Sequence, residues 1–167
     1  MRIVDRNIAC LRQALALVER LDDAAYTLSP PAIAPHKAGA HVRHVLEFYE
    51  CFLDGLEEGL IDYDARKRDA ALERSRAAAR AKIEELMERL RTVRRLNAPV
   101  QVRMEDGDAL LASSAGRELQ VLSSHAVHHF ALIALALRGL GMAVDPEFGM
   151  APSTLRYLEA RRAPEAA

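Results

Sequence analysis

Val4, Ile8, Leu11, Leu15, Val18 and Leu21 recur at intervals of three and four, the period of one helix face, and predict a helix from about Ile3 to Tyr26. The following stretch, TLSPPAIAPHKAGA, holds three prolines that a helix interior does not accept, so a long loop is expected. A second helix is predicted from about Ala38 to Gly59, with His41, His44, Phe48, Cys51 and Gly55 in one near-heptad row and Val45 and Phe52 beside it. Its inward face starts polar and becomes apolar. LIDYDARKRD then reads as a charged connection, and Leu72, Ala79, Ile83, Leu86, Leu90 and Val93 keep the helical period of a third helix from about Ala70 to Arg95.

The pattern changes at APVQVRMEDGDALLASS, where Val100, Val102 and Met104 alternate with polar residues ahead of EDGD and a second short apolar run from Ala109 to Ala112. This predicts a β-hairpin. Ser113 or Ser114 then offers a helix N-cap, and a fourth helix is expected from about Ala115 to Leu140, stopped by Gly139 and Gly141. The tail DPEFGMAPSTLRYLEARR predicts a loop and a short last helix starting near Ser153. No repeat or low-complexity tract interrupts this order. The expected fold class is all-α: a four-helix bundle with a small β-hairpin inserted before the last long helix and a short C-terminal helix.

Composition narrows the reading. The 167 residues suit one domain over 1–167, and 50% hydrophobic with 28% charged residues suits a helical globular protein. A net charge of −1 lacks the cationic bias that phosphate backbones require, so no nucleic acid partner is expected. The third helix is rich in arginine, but Glu73, Glu84, Glu85 and Glu88 are interleaved at pairing distance, which describes a solvated face. Cys10 and Cys51 are too few for a disulfide framework and fall within apolar helical patterns, so they are expected reduced and the location cytoplasmic. Charges at Arg2, Asp5, Arg6 and Arg12 break any signal-peptide core, and FALIALALRGLG is too short to span a bilayer, so no membrane association is expected.

The candidate chemistry lies in LSSHAVHHFALIALALRGLG, an apolar helical run holding His125, His128 and His129. Residues four apart share a helix face, so His125 and His129 project together and can ligate one ion, with His128 offset. Their row runs on through Glu118, Leu122, Leu132 and Ala136, which turns the pair into the bundle. Zn, Ni or Fe(II) calls for at least a third ligand, and the second helix offers His44, one turn beyond His41. Bundle metal sites are assembled from facing helices in this way, so the candidate ligands are His44, His125 and His129. Against this stands a metal-free polar core, although burying so many imidazoles leaves nitrogens in need of partners.

The stretches AGAHVRHVLEFYECFLDGL and GRELQVLSSHAVHHFALIALALRGLG resemble the second- and fourth-helix motifs of the DinB-like (DinB/YfiT) superfamily. The resemblance covers nearly the whole chain. It implies a four-helix bundle in which one histidine of the second helix and an HxxxH pair of the last long helix bind a divalent ion. Matched position by position, these fall on His44, His125 and His129, with His41 and His128 as additional histidines that act as supporting partners or alternative ligands. Some superfamily members are similar to S-transferases that use low-molecular-weight thiols, and others to metal-dependent hydrolases. A homodimer is also implied.

The expected function is therefore that of a metal-dependent enzyme, hydrolase or thiol S-transferase, acting on a small molecule; the rival is a non-catalytic bundle with a structural metal or a metal-free polar core. For hydrolysis Glu118, two turns before His125, is the best-placed carboxylate, but it also suits the helix dipole or a bond to a ligating imidazole, which is the favoured reading. Glu47 and Glu50 read as a solvated flank. For thiol transfer, Arg43, Arg66, Arg68 or Arg117 would hold cofactor carboxylates, with nothing in their spacing to select among them. Cys51 reads as a small buried hydrophobe rather than a nucleophile. No catalytic residue is assigned.

Overall fold

A computed structural model of the chain describes residues 2–31, 36–104 and 107–162. Part of the proline-rich loop and residues 105 and 106 of the expected hairpin turn lie outside the described residues. The long helices are α1 (Ile3–Arg20), α3 (Ala38–Glu58), α5 (Arg76–Thr92) and α6 (Ala115–Gly139), joined by short α2 (Asp23–Thr27) and α4 (Ala70–Arg74) and followed by α7 (Pro152–Arg162). α1 and α3 each pack against both α5 and α6, which closes the four long helices into a bundle. Leu11, Leu46, Tyr49, Phe52, Ile83, Leu86, Leu90, Leu119 and Phe130 meet in its core, each fully buried. Such side chains contribute roughly 1.5–3 kcal/mol each relative to exposure.

One polar residue ties three of these helices together. Asn7 of α1 is fully buried, donates from Nδ2 to the carbonyls of Ile3 and Leu119, and accepts the Tyr49 hydroxyl proton at 2.7 Å. Every polar group of that side chain is thereby satisfied, which removes the cost of burying it.

Two expected helices are each broken by a cap. The helix predicted through Tyr26 stops at Arg20, because the Asp22 carboxylate accepts the Ala25 amide at 2.7 Å and starts α2 afresh. The helix predicted from Ala70 to Arg95 is interrupted at Ser75 and ends at Thr92, Ser75 closing α4 while its hydroxyl accepts the Ala78 amide of α5. The apolar period runs through both breaks, so hydrophobic spacing alone does not reveal them.

The expected hairpin is present as β2 (Pro99–Arg103) and β3 (Leu110–Ser114), antiparallel, with Gln101 opposite Ala112. It is part of a larger sheet. β1 (Leu60–Ile61) lies parallel to β2 on its other side, so the charged connection after α3 contributes a third strand. Gly59 makes this possible: it ends α3 with φ of 76°, a left-handed turn that costs a side-chain-bearing residue more.

α6 begins at the Ser114 cap, as expected, and runs for 25 residues. By length and composition alone it is long enough to cross a bilayer, which corrects the length argument made on its apolar run. In the bundle, Leu119, Leu122, Ala126, Phe130, Ile133 and Leu137 of this helix are buried, and it packs against α1 and α3. α5 carries the mixed-charge face as expected, with Arg80 paired to Glu84, Lys82 and Arg89 to Glu85, and Arg91 to Glu88.

Candidate metal centre

His41 of α3 meets His129 of α6, and His44 meets His125, so the two helices run antiparallel where the histidines face each other. The Nε2 atoms of His44 and His125 are 3.1 Å apart, and those of His129 and His125 are also 3.1 Å apart. His44, His125 and His129 each bring a ligand nitrogen within 4.8 Å of the others, all three rings half-buried. Three imidazole nitrogens held tetrahedrally at about 2.0–2.1 Å from one ion stand about 3.3–3.4 Å apart, close to the two 3.1 Å spacings that His125 makes here. The donor set fits a borderline divalent ion such as Zn, Ni or Fe(II).

Protonation favours the same arrangement. Burial pushes the His44 and His125 imidazoles down to about 4, assisted at His44 by Arg66, His41 and Arg43, and at His125 by His44, His128 and Arg66. His129 is pushed down to about 3 by burial and by the neighbouring His125, His44, His41 and His128. At neutral pH all three are uncharged and carry a lone pair for coordination. Nδ1 of His125 is buried with no hydrogen-bond partner among the described residues.

A row of rings extends beyond the triad. Nδ1 of His41 lies 2.9 Å from Nδ1 of His129, and Nε2 of His41 lies 3.0 Å from Nδ1 of His36. His41 is thus held between the His36 ring on one side and the His129 ring on the other. His128 is exposed and sets its ring edge against His129, with centroids 5.1 Å apart. The placement of His36 in this row had no signal in the sequence, because it lies ahead of α3, outside the helical period that aligns the other histidines.

The other wall is aromatic. Phe48 stacks on His125 with centroids 4.0 Å apart, and Tyr63 stacks in turn against Phe48 at 5.0 Å. Tyr63 donates its hydroxyl to Glu118 at 2.8 Å, and Ser113 donates to the other Glu118 oxygen at 2.5 Å. Glu118 lies in the first turn of α6, as the dipole reading expected, but it braces Tyr63 and the end of β3 rather than a ligating imidazole. The second half of that expectation is therefore corrected.

Glu47 and Glu50 are not a solvated flank: both are buried. Glu47 accepts the Asp69 amide at 2.6 Å, and Glu50 accepts from Lys67 at 3.0 Å and Lys82 at 3.1 Å. Their partners come from the connection and from α5, far along the chain, so helix-face spacing could not place them. Cys51 is half-buried, its thiol pushed up to about 11 chiefly by burial, which agrees with a packing role. Of the four arginines considered, Arg66 packs on the wall of the site, its guanidinium carbon 4.8 Å from the Phe48 centroid.

The fold agrees with a comparison to known proteins. A family model described as the DinB superfamily matches residues 8–133, most of the chain. The chain belongs to the DinB superfamily. This DinB-superfamily chain also overlays a DinB-like protein (YjoA) from Bacillus subtilis with a TM-score of 0.66, covering 86% of this chain and 95% of that one at 19% identity, a likeness of fold. It is similar to a protein named FK506-binding protein 5 from Rhizopus delemar, 33% identical over 107 residues. That match takes in 60% of this chain but only 28% of the relative's length.

Proposed function

We propose that this DinB-superfamily protein binds one divalent ion through His44, His125 and His129 and acts as an enzyme on a small molecule, transferring a low-molecular-weight thiol. The observation that supports it best is the convergence of three neutral imidazoles within 4.8 Å at half-buried positions. A site sealed by bulky apolar side chains would suit a structural ion; half-burial of the triad instead leaves a route for a substrate. A divalent ion in this triad supplies Lewis acidity and an open coordination position, which suits a thiolate or a substrate oxygen.

The chain's own residues divide the remaining work. His44 and the pair His125 and His129 form the donor set from two helices, and His41 orients the His129 ring through its Nδ1 contact. Phe48 and Tyr63 cover one side of His125 and keep water from that face. Glu118 accepts hydrogen bonds at both oxygens, from Tyr63 and Ser113, and so is poorly placed to take a proton from an attacking water. That engagement favours thiol transfer over hydrolysis. Hydrolysis is the second reading, supported by the all-imidazole donor set, which leaves a bound ion with its full charge.

Elemental analysis of tag-free protein, after loading with Zn, Ni, Mn or Fe(II) and removal of excess, tests the first half of this proposal. About one retained ion per chain is the expected result. Screening the loaded protein for thiol conjugation and for hydrolysis then separates the two chemistries. Retention of no ion under any loading points instead to a non-catalytic bundle with a polar core.

A further inference from the structure

Around the histidine triad the charges do not balance. Imidazole donors bring no negative charge, so a divalent ion among them keeps its two positive charges, and Arg66 brings a third to the same wall. The nearby carboxylates are committed elsewhere: Glu50 to Lys67 and Lys82, Glu47 to the Asp69 amide, Glu118 to Tyr63 and Ser113. Asp64 stands 3.8 Å from the Arg66 guanidinium, beyond the roughly 2.7–2.9 Å of a charge-assisted hydrogen bond.

Arg66 is also held in place. Its side chain is only 14% exposed, it lies over the face of Phe48, and it donates one hydrogen bond to the Tyr63 carbonyl. Phe48 in turn lies 4.0 Å from the His125 centroid and 4.7 Å from that of His44, so the guanidinium and two of the three candidate ligands pack on one ring. A guanidinium has five N–H donors, and among the described residues only one of these bonds is made by Arg66. Arg43, by contrast, is matched to Glu73 at 3.0 Å, while Arg68 and Arg117 are exposed.

Resting on the metal-binding reading above, we infer that Arg66 is the anion anchor of this site, and that the small-molecule substrate carries a carboxylate or similar planar oxyanion held by its guanidinium beside the triad. The planar fork suits a two-oxygen acceptor, and its partly desolvated position strengthens the attraction. Arg66 thereby selects charged over uncharged thiols of the same size.

The test uses Co(II)-loaded full-length protein, whose visible absorption reports ligand entry, titrated with 3-mercaptopropionate and with uncharged 2-mercaptoethanol. Wild type is expected to bind the carboxylate thiol at least about tenfold more tightly, and Arg66→Gln to lose about that factor for it alone. Equal weakening of both thiols, or no change, overturns the assignment. Circular dichroism and Co(II) stoichiometry check the variant. Where Arg66→Gln does not fold, Arg66→Lys decides: a reduced preference supports the fork, and an unchanged preference overturns it. Wild type that retains no Co(II) brings down the three-histidine reading and this inference with it, whereas retention without discrimination brings down this inference alone.

Discussion

At the scale of single residues, the site makes distinct demands on each histidine. His44→Ala or His125→Ala is expected to abolish stoichiometric metal binding while far-ultraviolet circular dichroism still shows a helical fold; full occupancy in both variants would rule out the triad. His41→Ala removes a supporting contact rather than a ligand, so a loss of about 10–100-fold in metal affinity is expected by competition with a chelator. The metal-free protein also carries a pH signature. An unperturbed imidazole titrates near 6.5, whereas burial holds His44 and His125 at about 4 and His129 at about 3. Between these values the unfolded chain takes up protons that the folded chain refuses, so stability is fully present above about pH 6.5 and declines toward pH 4. Urea midpoints measured across that window should fall with pH, and a flat profile would contradict neutral, buried rings. The meeting of His125 and His129 was legible in the sequence because the HxxxH spacing puts two rings on one helix face. The burial of Glu47 and Glu50, and the choice of Arg66 among four arginines, were not, because chain-distant partners bury the first two and a loop places the third.

At the scale of elements, the four long helices followed from their apolar period, while their interruptions depend on single capping side chains. Ser75 ends one helix and starts the next, so Ser75→Ala is expected to destabilise the protein by about 1 kcal/mol, read as a lower urea midpoint. Gly39 shows why α3 sits where it does. A Cβ there would stand 2.2 Å from the Glu73 carbonyl oxygen and 2.8 Å from the Tyr26 ring, so α3 approaches α4 more closely than any side chain allows. Gly39→Ala should cost roughly 1–3 kcal/mol and displace the turn bearing His41 and His44, weakening metal binding together with stability. β1 left no trace in the hydrophobic pattern because a two-residue strand has too few positions to display alternation; its partner β2 and the turn at Gly59 create it.

For the whole molecule, the candidate ligands link α3 to α6 across 81 residues of sequence between His44 and His125. An ion bound only by the folded chain therefore clasps two helices that no short peptide contains. At a free concentration 100 times the dissociation constant it would add about 2.7 kcal/mol, raising Tm by roughly 5–11 °C for a chain of this size. His125→Ala should show no such rise in a thermal melt with and without metal, and an equal rise would place the ion elsewhere. The row of rings from His129 through His41 to His36 acquires a direction once Nε2 of His129 serves as a ligand. A neutral His129 then keeps its proton on Nδ1 and donates a hydrogen bond to Nδ1 of His41, which leaves the His41 proton on Nε2, pointed at Nδ1 of His36. His36 is left with its own proton on Nε2. Occupancy at the centre of the bundle is in this way written into the tautomer of a ring at its edge, where nitrogen NMR can read it.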